Sequence, residues 1–142
     1  MTGNSELLNF IYQNSQMGVT TIEQLLTIVE NKAFKNQLES QYREYLEIHQ
    51  AAKELLNNHG VDEKGIGIIE KIKTYCMINM QTLTDKTAAH IAEMLIVGST
   101  MGVIDAIKNI RKYSQAEPDI LDLMKKLLLF EETNIQQLKV YL

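Results

Sequence analysis

The sequence predicts an all-α protein, a four-helix bundle built from two helical hairpins that a long segment connects. The composition favours helices, since hydrophobic residues make up 45% of the chain and there is one proline. Apolar residues recur at three- and four-residue steps in four long segments, as they do on one face of a helix. The stretch Ser-x-Met-Gly-Val occurs at residues 15–19 and again at 99–103. The 142 residues are expected to form a single domain, 1–142.

The first hairpin is predicted at about residues 5–32 and 34–58. Ser5 suits the N-cap of the first helix, and Gly60 suits the residue after the second, where a left-handed conformation is common. The inward stripes are Leu8, Ile11, Ser15, Val19, Ile22, Leu26 and Val29 in the first helix, and Leu38, Tyr42, Tyr45, His49, Ala52 and Leu56 in the second.

The connection between the hairpins is predicted to contain a short helix at about residues 66–81. It is too long for a simple turn between neighbouring helices, and its length suits a crossover along the bundle. Gly60 and Gly65 precede this apolar segment, and Gly67 lies at its start.

The second hairpin is predicted at about residues 85–113 and 118–142. Thr84 or Asp85 suits the N-cap of the third helix, and Pro118 suits the first turn of the fourth. The inward stripes are Ala88, Ala92, Leu95, Ser99, Gly102, Ala106 and Ile110, and then Ile120, Met124, Leu127, Glu131, Asn134 and Leu138.

The repeated pentapeptide indicates that the first and third helices are equivalent halves of a duplicated hairpin. Aligning residue 15 with residue 99 superimposes the two apolar stripes and places a serine at the centre of each. Gly18 and Gly102 follow in helix interiors, where glycine costs about 1 kcal/mol relative to alanine. We therefore predict that these glycines permit close packing of the first and third helices on each other or on another subunit.

Two segments carry a resemblance to a known family. The stretch from Phe130 to Leu142 resembles the last helix of rubrerythrin-like and related ferritin-like proteins, which commonly reads Glu-Glu-x-His-Ile-x-x-Leu. The stretch from Tyr45 to Leu56 resembles the second helix of that family, with His49 as the motif histidine. The resemblance implies a ferritin-like bundle with one long crossover.

In di-iron members of that family, the first and third helices each offer a glutamate and the other two each offer Glu-x-x-His. On this alignment the chain retains only His49 and Glu131. The other ancestral ligand positions are now Ser15, Leu46, Ser99 and Asn134. An alternative alignment makes Glu44 and Glu47 the motif pair of the second helix, but both lie off the predicted inward stripe. The resemblance therefore implies a degenerate metal site.

Three functions are left open by this pattern. The first is a non-catalytic ferritin-like bundle that acts as a structural or protein-interaction module. The alternative is a rubrerythrin-like metal-binding or redox protein with a reduced, mononuclear site around His49 and Glu131, which would hold iron or another divalent metal. The third is a small-ligand pocket where the lost ligands leave space at mid-bundle.

Charge and composition restrict the partners. The net charge is −4 and no basic stripe is present, so nucleic acid is not an expected partner. No charged leader precedes an apolar run and no stretch approaches the ~20 apolar residues of a membrane helix, which predicts a cytoplasmic protein that binds no membrane. The single cysteine, Cys76, cannot form an internal disulfide.

We also expect a homo-oligomer, with a dimer favoured, and an unidentified protein partner is compatible with the interaction-module hypothesis. The abundance of Ile, Lys and Asn favours a bacterial source with AT-rich DNA. Divergent ferritin-like proteins occur in bacterial spore coats, and by this analogy alone the resemblance extends to a spore-associated location.

Overall fold

The computed structural model describes residues 2–62 and 83–142. These ranges contain four α-helices and no strand: α1 (Asn4–Leu26), α2 (Lys32–Asn58), α3 (Ala88–Lys112) and α4 (Pro118–Leu138), with a 3-10 turn at Lys139–Tyr141. The prediction of an all-α four-helix bundle is confirmed. The predicted short helix at about 66–81 lies outside the described residues.

The helices pair as two hairpins. α1 packs along α2, and α3 packs along α4. The last helix, α4, also contacts both α1 and α2, whereas α1 and α3 touch over a short stretch. The two hairpins therefore meet mainly through α4.

The N-caps predicted for the first and third helices are wrong. Gly3 caps the first helix through its backbone conformation, and the hydroxyl of Thr87 caps the third. α1 begins at Asn4 and follows Gly3, whose left-handed backbone (φ 82°) leaves its carbonyl oxygen to accept from the Leu7 amide at 3.0 Å. α3 begins at Ala88, and Thr87 caps it by accepting from the His90 amide at 3.3 Å.

The residues predicted as caps have other positions: one lies inside α1, and the other two, Thr84 and Asp85, lie before α3. Ser5 is the second residue of α1. Asp85 accepts instead from the amide of Thr87 at 2.9 Å, so it supports the capping residue.

The first helix is shorter than predicted. It ends at Leu26, because Asn31 already serves as the N-cap of α2 and accepts from the Phe34 amide at 2.9 Å. The end of α2 agrees with the prediction, since Gly60 follows it with φ 64°. Pro118 occupies the first turn of α4, also as predicted.

The core confirms the stripe predicted for α4, whose members are all buried. α1 departs from a one-face stripe, because residues 7–11 and 13–15 are all buried. These include the polar side chains of Asn9, Gln13, Asn14 and Ser15. In α3, Leu95 and Ser99 are half-buried, while Met94 and Gly98 beside them are buried, so this helix is rotated slightly from the predicted face. The first hairpin therefore brings several polar groups into the core.

Gly18 lies directly against the ring of Tyr45. A Cβ atom at residue 18 would be 2.6 Å from the nearest ring carbons. Its nearest neighbour is thus in α2, whereas the sequence placed the contact at the third helix or another subunit.

One end of the bundle carries a polar cluster that joins the two hairpins. We call Asn4, His59, Glu117 and Asp119 the end cluster. The two ring nitrogens of His59 contact a carboxylate oxygen of Glu117 at 2.8 Å and one of Asp119 at 3.1 Å. Asn4 donates to the Glu117 carboxylate and accepts from the Glu117 amide, both at 2.9 Å.

We expect Gly18→Ala to destabilise the protein. Alanine improves helix propensity by about 1 kcal/mol, but overpacking against a buried ring costs about 1–3 kcal/mol, so we expect a net loss of up to about 2 kcal/mol in urea unfolding. Thr20→Ala, at an exposed position of the same helix, is the control and should be neutral or slightly stabilising. A more stable Gly18→Ala variant would contradict the contact.

The end cluster predicts acid sensitivity. The hydrogen bond from His59 holds the pKa of Asp119 below its ordinary value, so this carboxylate contributes stability above its unfolded pKa, and that contribution is lost as pH falls through the lowered folded pKa. Asp119 is exposed, so the contribution should stay under about 1 kcal/mol. We expect the stability difference between wild type and Asp119→Asn to shrink between pH 5 and pH 3. Asp122→Asn, an exposed control on α4, should show no such trend.

Candidate functional site

His49 is bound to α1 through one ring nitrogen. Its Nδ1 lies 3.1 Å from the Ser15 hydroxyl and 3.2 Å from the carbonyl oxygen of Tyr12. A carbonyl oxygen only accepts hydrogen bonds, so the hydrogen of the imidazole lies on Nδ1. The Ser15 hydroxyl in turn donates to the carbonyl oxygen of Ile11 at 2.7 Å.

The ring of His49 also packs on an aromatic neighbour. Its centroid lies 4.4 Å from that of Tyr12, which fixes the plane of the imidazole against α1. Glu44 and Glu47 are exposed on the other side of α2. The alignment that would have made these two glutamates ligands is therefore wrong, because they face away from the core as the stripe indicated.

Glu131 is buried at the centre, with 2% of its surface exposed. One carboxyl oxygen, Oε1, accepts from the Tyr45 hydroxyl at 2.9 Å. The ring of Phe130 meets the Tyr45 ring edge-on at 4.7 Å and encloses the pair. Tyr45 is therefore a well-defined donor to a carboxyl group that is nearly closed off from water.

Burial controls the protonation of this carboxyl group. It raises the pKa of Glu131 from an ordinary 4.5 to about 7, against the opposing effect of hydrogen bonds from Tyr45 and Ser99. Burial and the nearby carboxylate also raise the pKa of Tyr45 well above its ordinary value of 10. Tyr45 therefore remains a hydrogen-bond donor at neutral pH, while Glu131 changes its charge there.

The two retained ligand positions, His49 and Glu131, thus take part in two separate interactions. His49 is paired with Ser15, whereas Glu131 is paired with Tyr45, and Ser99 and Asn134 lie beside the Tyr45 hydroxyl. Leu46 is half-buried on α2. Across residues 2–62 and 83–142, no group of three His, Cys, Asp or Glu side chains is positioned to hold a metal ion.

A small cavity of about 40 Å³, which we call the central cavity, adjoins Glu131 and Tyr45. Three side-chain atoms of its lining are buried and have no hydrogen-bond partner: Asn14 Nδ2, Gln41 Nε2 and Glu131 Oε2. Leaving such a group unsatisfied costs about 1–3 kcal/mol. All three residues line the same cavity.

The sequence reading missed Asn14 and Gln41. Gln41 lies three residues after Leu38 and four before Tyr45, so helical spacing already puts it on the inward stripe of α2. Asn14 lies three residues after Ile11 on α1. Both were passed over because the family pattern does not use those positions.

The fold and this centre define an all-α four-helix bundle with a buried carboxyl group. Comparisons of the chain with protein-family models, with curated proteins and with solved structures give no match. The ferritin-like resemblance and what it implies accordingly remain predictions.

We expect Glu131→Gln to remove a pH dependence of stability. Because the folded pKa of Glu131 is raised, its neutral form favours folding below pH 4.5, and this contribution is lost as pH rises through about 7. The free energy of unfolding of Glu131→Gln minus that of wild type should rise by about 3 kcal/mol between pH 4.5 and pH 8. Urea unfolding across this range measures it. Glu132→Gln, at the exposed neighbour, should give a flat difference, and a flat difference for Glu131→Gln would refute the buried carboxyl group.

Proposed function

We propose that the chain is a ferritin-like four-helix bundle that has lost its di-iron centre and acts as a non-catalytic structural or protein-interaction module. The observation that carries the proposal is the separate pairing of His49 with Ser15 and of Glu131 with Tyr45. In a carboxylate-bridged centre these side chains would instead face a shared pair of metal ions.

The replaced positions support the same proposal on chemical grounds. Hard divalent and trivalent ions prefer charged oxygen ligands, and the serines at 15 and 99 supply no negative charge at neutral pH. Asn134 takes the place of an imidazole, and its amide nitrogen is buried without a partner. The centre is therefore polar, as a metal site is, but it lacks most of the negatively charged ligands that such a site needs.

A mononuclear metal site is the second candidate, and one observation favours it. Histidines that bind metals through Nε2 commonly donate Nδ1–H to a backbone carbonyl, which fixes the tautomer. His49 makes such a contact with Tyr12. In this second candidate, His49 and Glu131 would bind iron or another divalent ion.

For self-association, we propose the outward face of α3 as the contact with a second copy of the chain. Residues 94–104 carry no charge, and 33% of the most apolar 18 residues of α3 are buried. Ile104 on this face is 48% exposed. Within residues 94–104, which the exposed Glu93 and Lys108 flank, two copies of α3 can meet without repulsion between like charges, which supports a homodimer.

We retain the cytoplasm as the proposed location. Among the described residues, α3 alone is long and apolar enough to span a membrane, a test that core helices of soluble proteins also meet. Gly98 and Ser99 of this helix line the polar central cavity. That contact supports a place for α3 within the bundle.

Metal analysis of protein purified from cells supplied with iron and zinc tests the loss of the metal centre. We expect far less than one metal ion per chain, with no change on His49→Gln, because the Nδ1 hydrogen bond serves packing. Glu47→Gln, exposed on the same helix, is the control. One tightly bound ion per chain that His49→Gln removes would favour the mononuclear site instead.

Light scattering after size exclusion tests the α3 contact. Wild type should give about 32 kDa, twice the chain mass of 16.2 kDa, and Ile104→Lys should give the monomer mass because a charge in an apolar interface is costly. Leu129→Lys removes an apolar side chain that is 67% exposed on α4 and should leave the dimer intact. A monomeric wild type, or an Ile104→Lys dimer, would contradict the proposed face.

A further inference from the structure

The outward side of α3 carries a continuous row of side chains, which we call the α3 stripe: Glu93, Val97, Thr100, Ile104, Ile107 and Arg111. These residues follow one another at alternating steps of four and three, so they lie along one side of the helix. Each of them is exposed or half-buried, whereas Gly98, Gly102 and Ala106 on the opposite side are buried. The stripe is about 27 Å long from its first residue to its last.

The charges of the α3 stripe stand at its two ends and have opposite signs. Glu93 is at the end nearer the start of the helix and Arg111 is at the other end, with only uncharged stripe residues between them. Both are exposed, and among the described residues neither has an ion-pair partner. Lys108, which is also exposed, adds to the positive end, while Lys112 lies over the ring of Tyr113 in its own chain. The stripe therefore presents a negative group at one end and positive groups at the other.

The direction of a second α3 helix determines which charges meet. When two copies run parallel about a two-fold axis, each residue of the stripe faces its own equivalent, so Glu93 meets Glu93 and Arg111 meets Arg111. Like charges in such contacts are unfavourable.

An antiparallel pair brings opposite charges together instead. The steps of the stripe are the same when it is read from either end, so Glu93 of each copy then faces Arg111 of the other. In the middle of the contact, Thr100 faces Ile104, which keeps the uncharged part of the stripe together. The partial charges at the helix ends favour the same direction, because the positive N-terminus of one helix lies beside the negative C-terminus of the other.

We propose that the α3 stripe pairs with the same stripe of a second copy in antiparallel orientation, and that Glu93 of each copy forms an ion pair with Arg111 of the other. The pairing rests on the proposed homodimer through α3, and it adds the orientation of the dimer and the two residues that select it. The two ion pairs lie at the ends of the apolar contact. Exposed ion pairs contribute little to affinity, whereas the repulsion of like charges excludes the wrong arrangement, so these residues act mainly on orientation.

Charge reversal tests the pairing because the two orientations respond differently. In the antiparallel dimer, Glu93→Arg or Arg111→Glu sets like charges against each other at both ends of the contact. We therefore expect each variant to weaken dimerisation about tenfold in sedimentation equilibrium at low salt, and the difference to shrink at high salt. In a parallel dimer, either reversal would replace one pair of like charges by another and leave the dissociation constant nearly unchanged.

Combining the two reversals should restore the dimer. A chain that carries both Glu93→Arg and Arg111→Glu has the two charges exchanged, so opposite charges meet again and the dissociation constant should return to within about threefold of wild type. An equal mixture of the two single variants should form mainly the mixed dimer, since only that dimer has opposite charges at both ends. Native mass spectrometry distinguishes the mixed dimer from the two homodimers by mass.

Two variants on α2 are matched controls. Glu54→Arg and Lys35→Glu make the same changes in net charge at exposed positions of α2, which packs along α1. Both should keep the wild-type dissociation constant. The circular dichroism of every variant should match that of wild type, because all the substituted side chains are exposed.

The outcomes separate the pairing from the homodimer on which it rests. A monomeric wild type, or a wild-type dimer that Ile104→Lys leaves intact, overturns both. If Ile104→Lys dissociates the dimer but Glu93→Arg and Arg111→Glu do not weaken it, the contact through α3 stands and the antiparallel pairing is overturned. A double variant that dimerises no better than the single variants also overturns the pairing.

Discussion

The hydrogen bond between Tyr45 and Glu131 is the interaction on which the centre of this bundle depends. It crosses from the first hairpin to the second through a region from which water is nearly excluded. Burying a carboxyl group without a hydrogen-bond donor costs free energy, so the neighbouring side chains must supply a donor and exclude water. The ring of Phe130 covers the pair, and the absence of a side chain at Gly18 leaves room for the Tyr45 ring.

That constraint also accounts for the division of the core into two levels. His49 lies one helical turn from Tyr45 on the same face of α2, and it is bound to α1 by Ser15 and the Tyr12 carbonyl. Glu131 is bound to α2 by Tyr45. One level therefore joins the helices within the first hairpin, and the other joins the two hairpins. The hydrogen bonds of His49 with Ser15 and of Tyr45 with Glu131 thus act as specific connections between helices.

Periodicity predicted much of the fold because it reports burial directly. All members of the predicted α4 stripe are buried, and Gly60 and Pro118 lie where their backbone preferences place them. The helix starts were less predictable, since Gly3 and Thr87 cap the helices although the nearby Ser5 and Asp85 are residue types of greater capping strength. The pairing of Gly18 with Tyr45 could not be read from the repeat, because a duplicated motif shows which positions correspond and does not show which helix packs against them.

The site was only partly predictable for a related reason. His49, Ser15, Ser99 and Glu131 were found by comparison with a family pattern, whereas Asn14 and Gln41 belong to no such pattern. Their signal was a polar residue at helical spacing from core residues, which is common in helices and is weak until the neighbours are known. The burial of α1 on nearly all sides between residues 7 and 15 likewise depends on the packing of the whole bundle.

The end cluster has a consequence for the order in which the chain folds. Asn4 and Glu117 are separated by 113 positions in the sequence, Gln37 and Gln137 by 100, and Tyr45 and Glu131 by 86. Each hairpin, by contrast, closes through a short turn. Because closing a long loop must be offset by contacts that form only afterwards, we expect the two hairpins to join after each has closed. The hydrogen bonds that cross between them are then expected to form last.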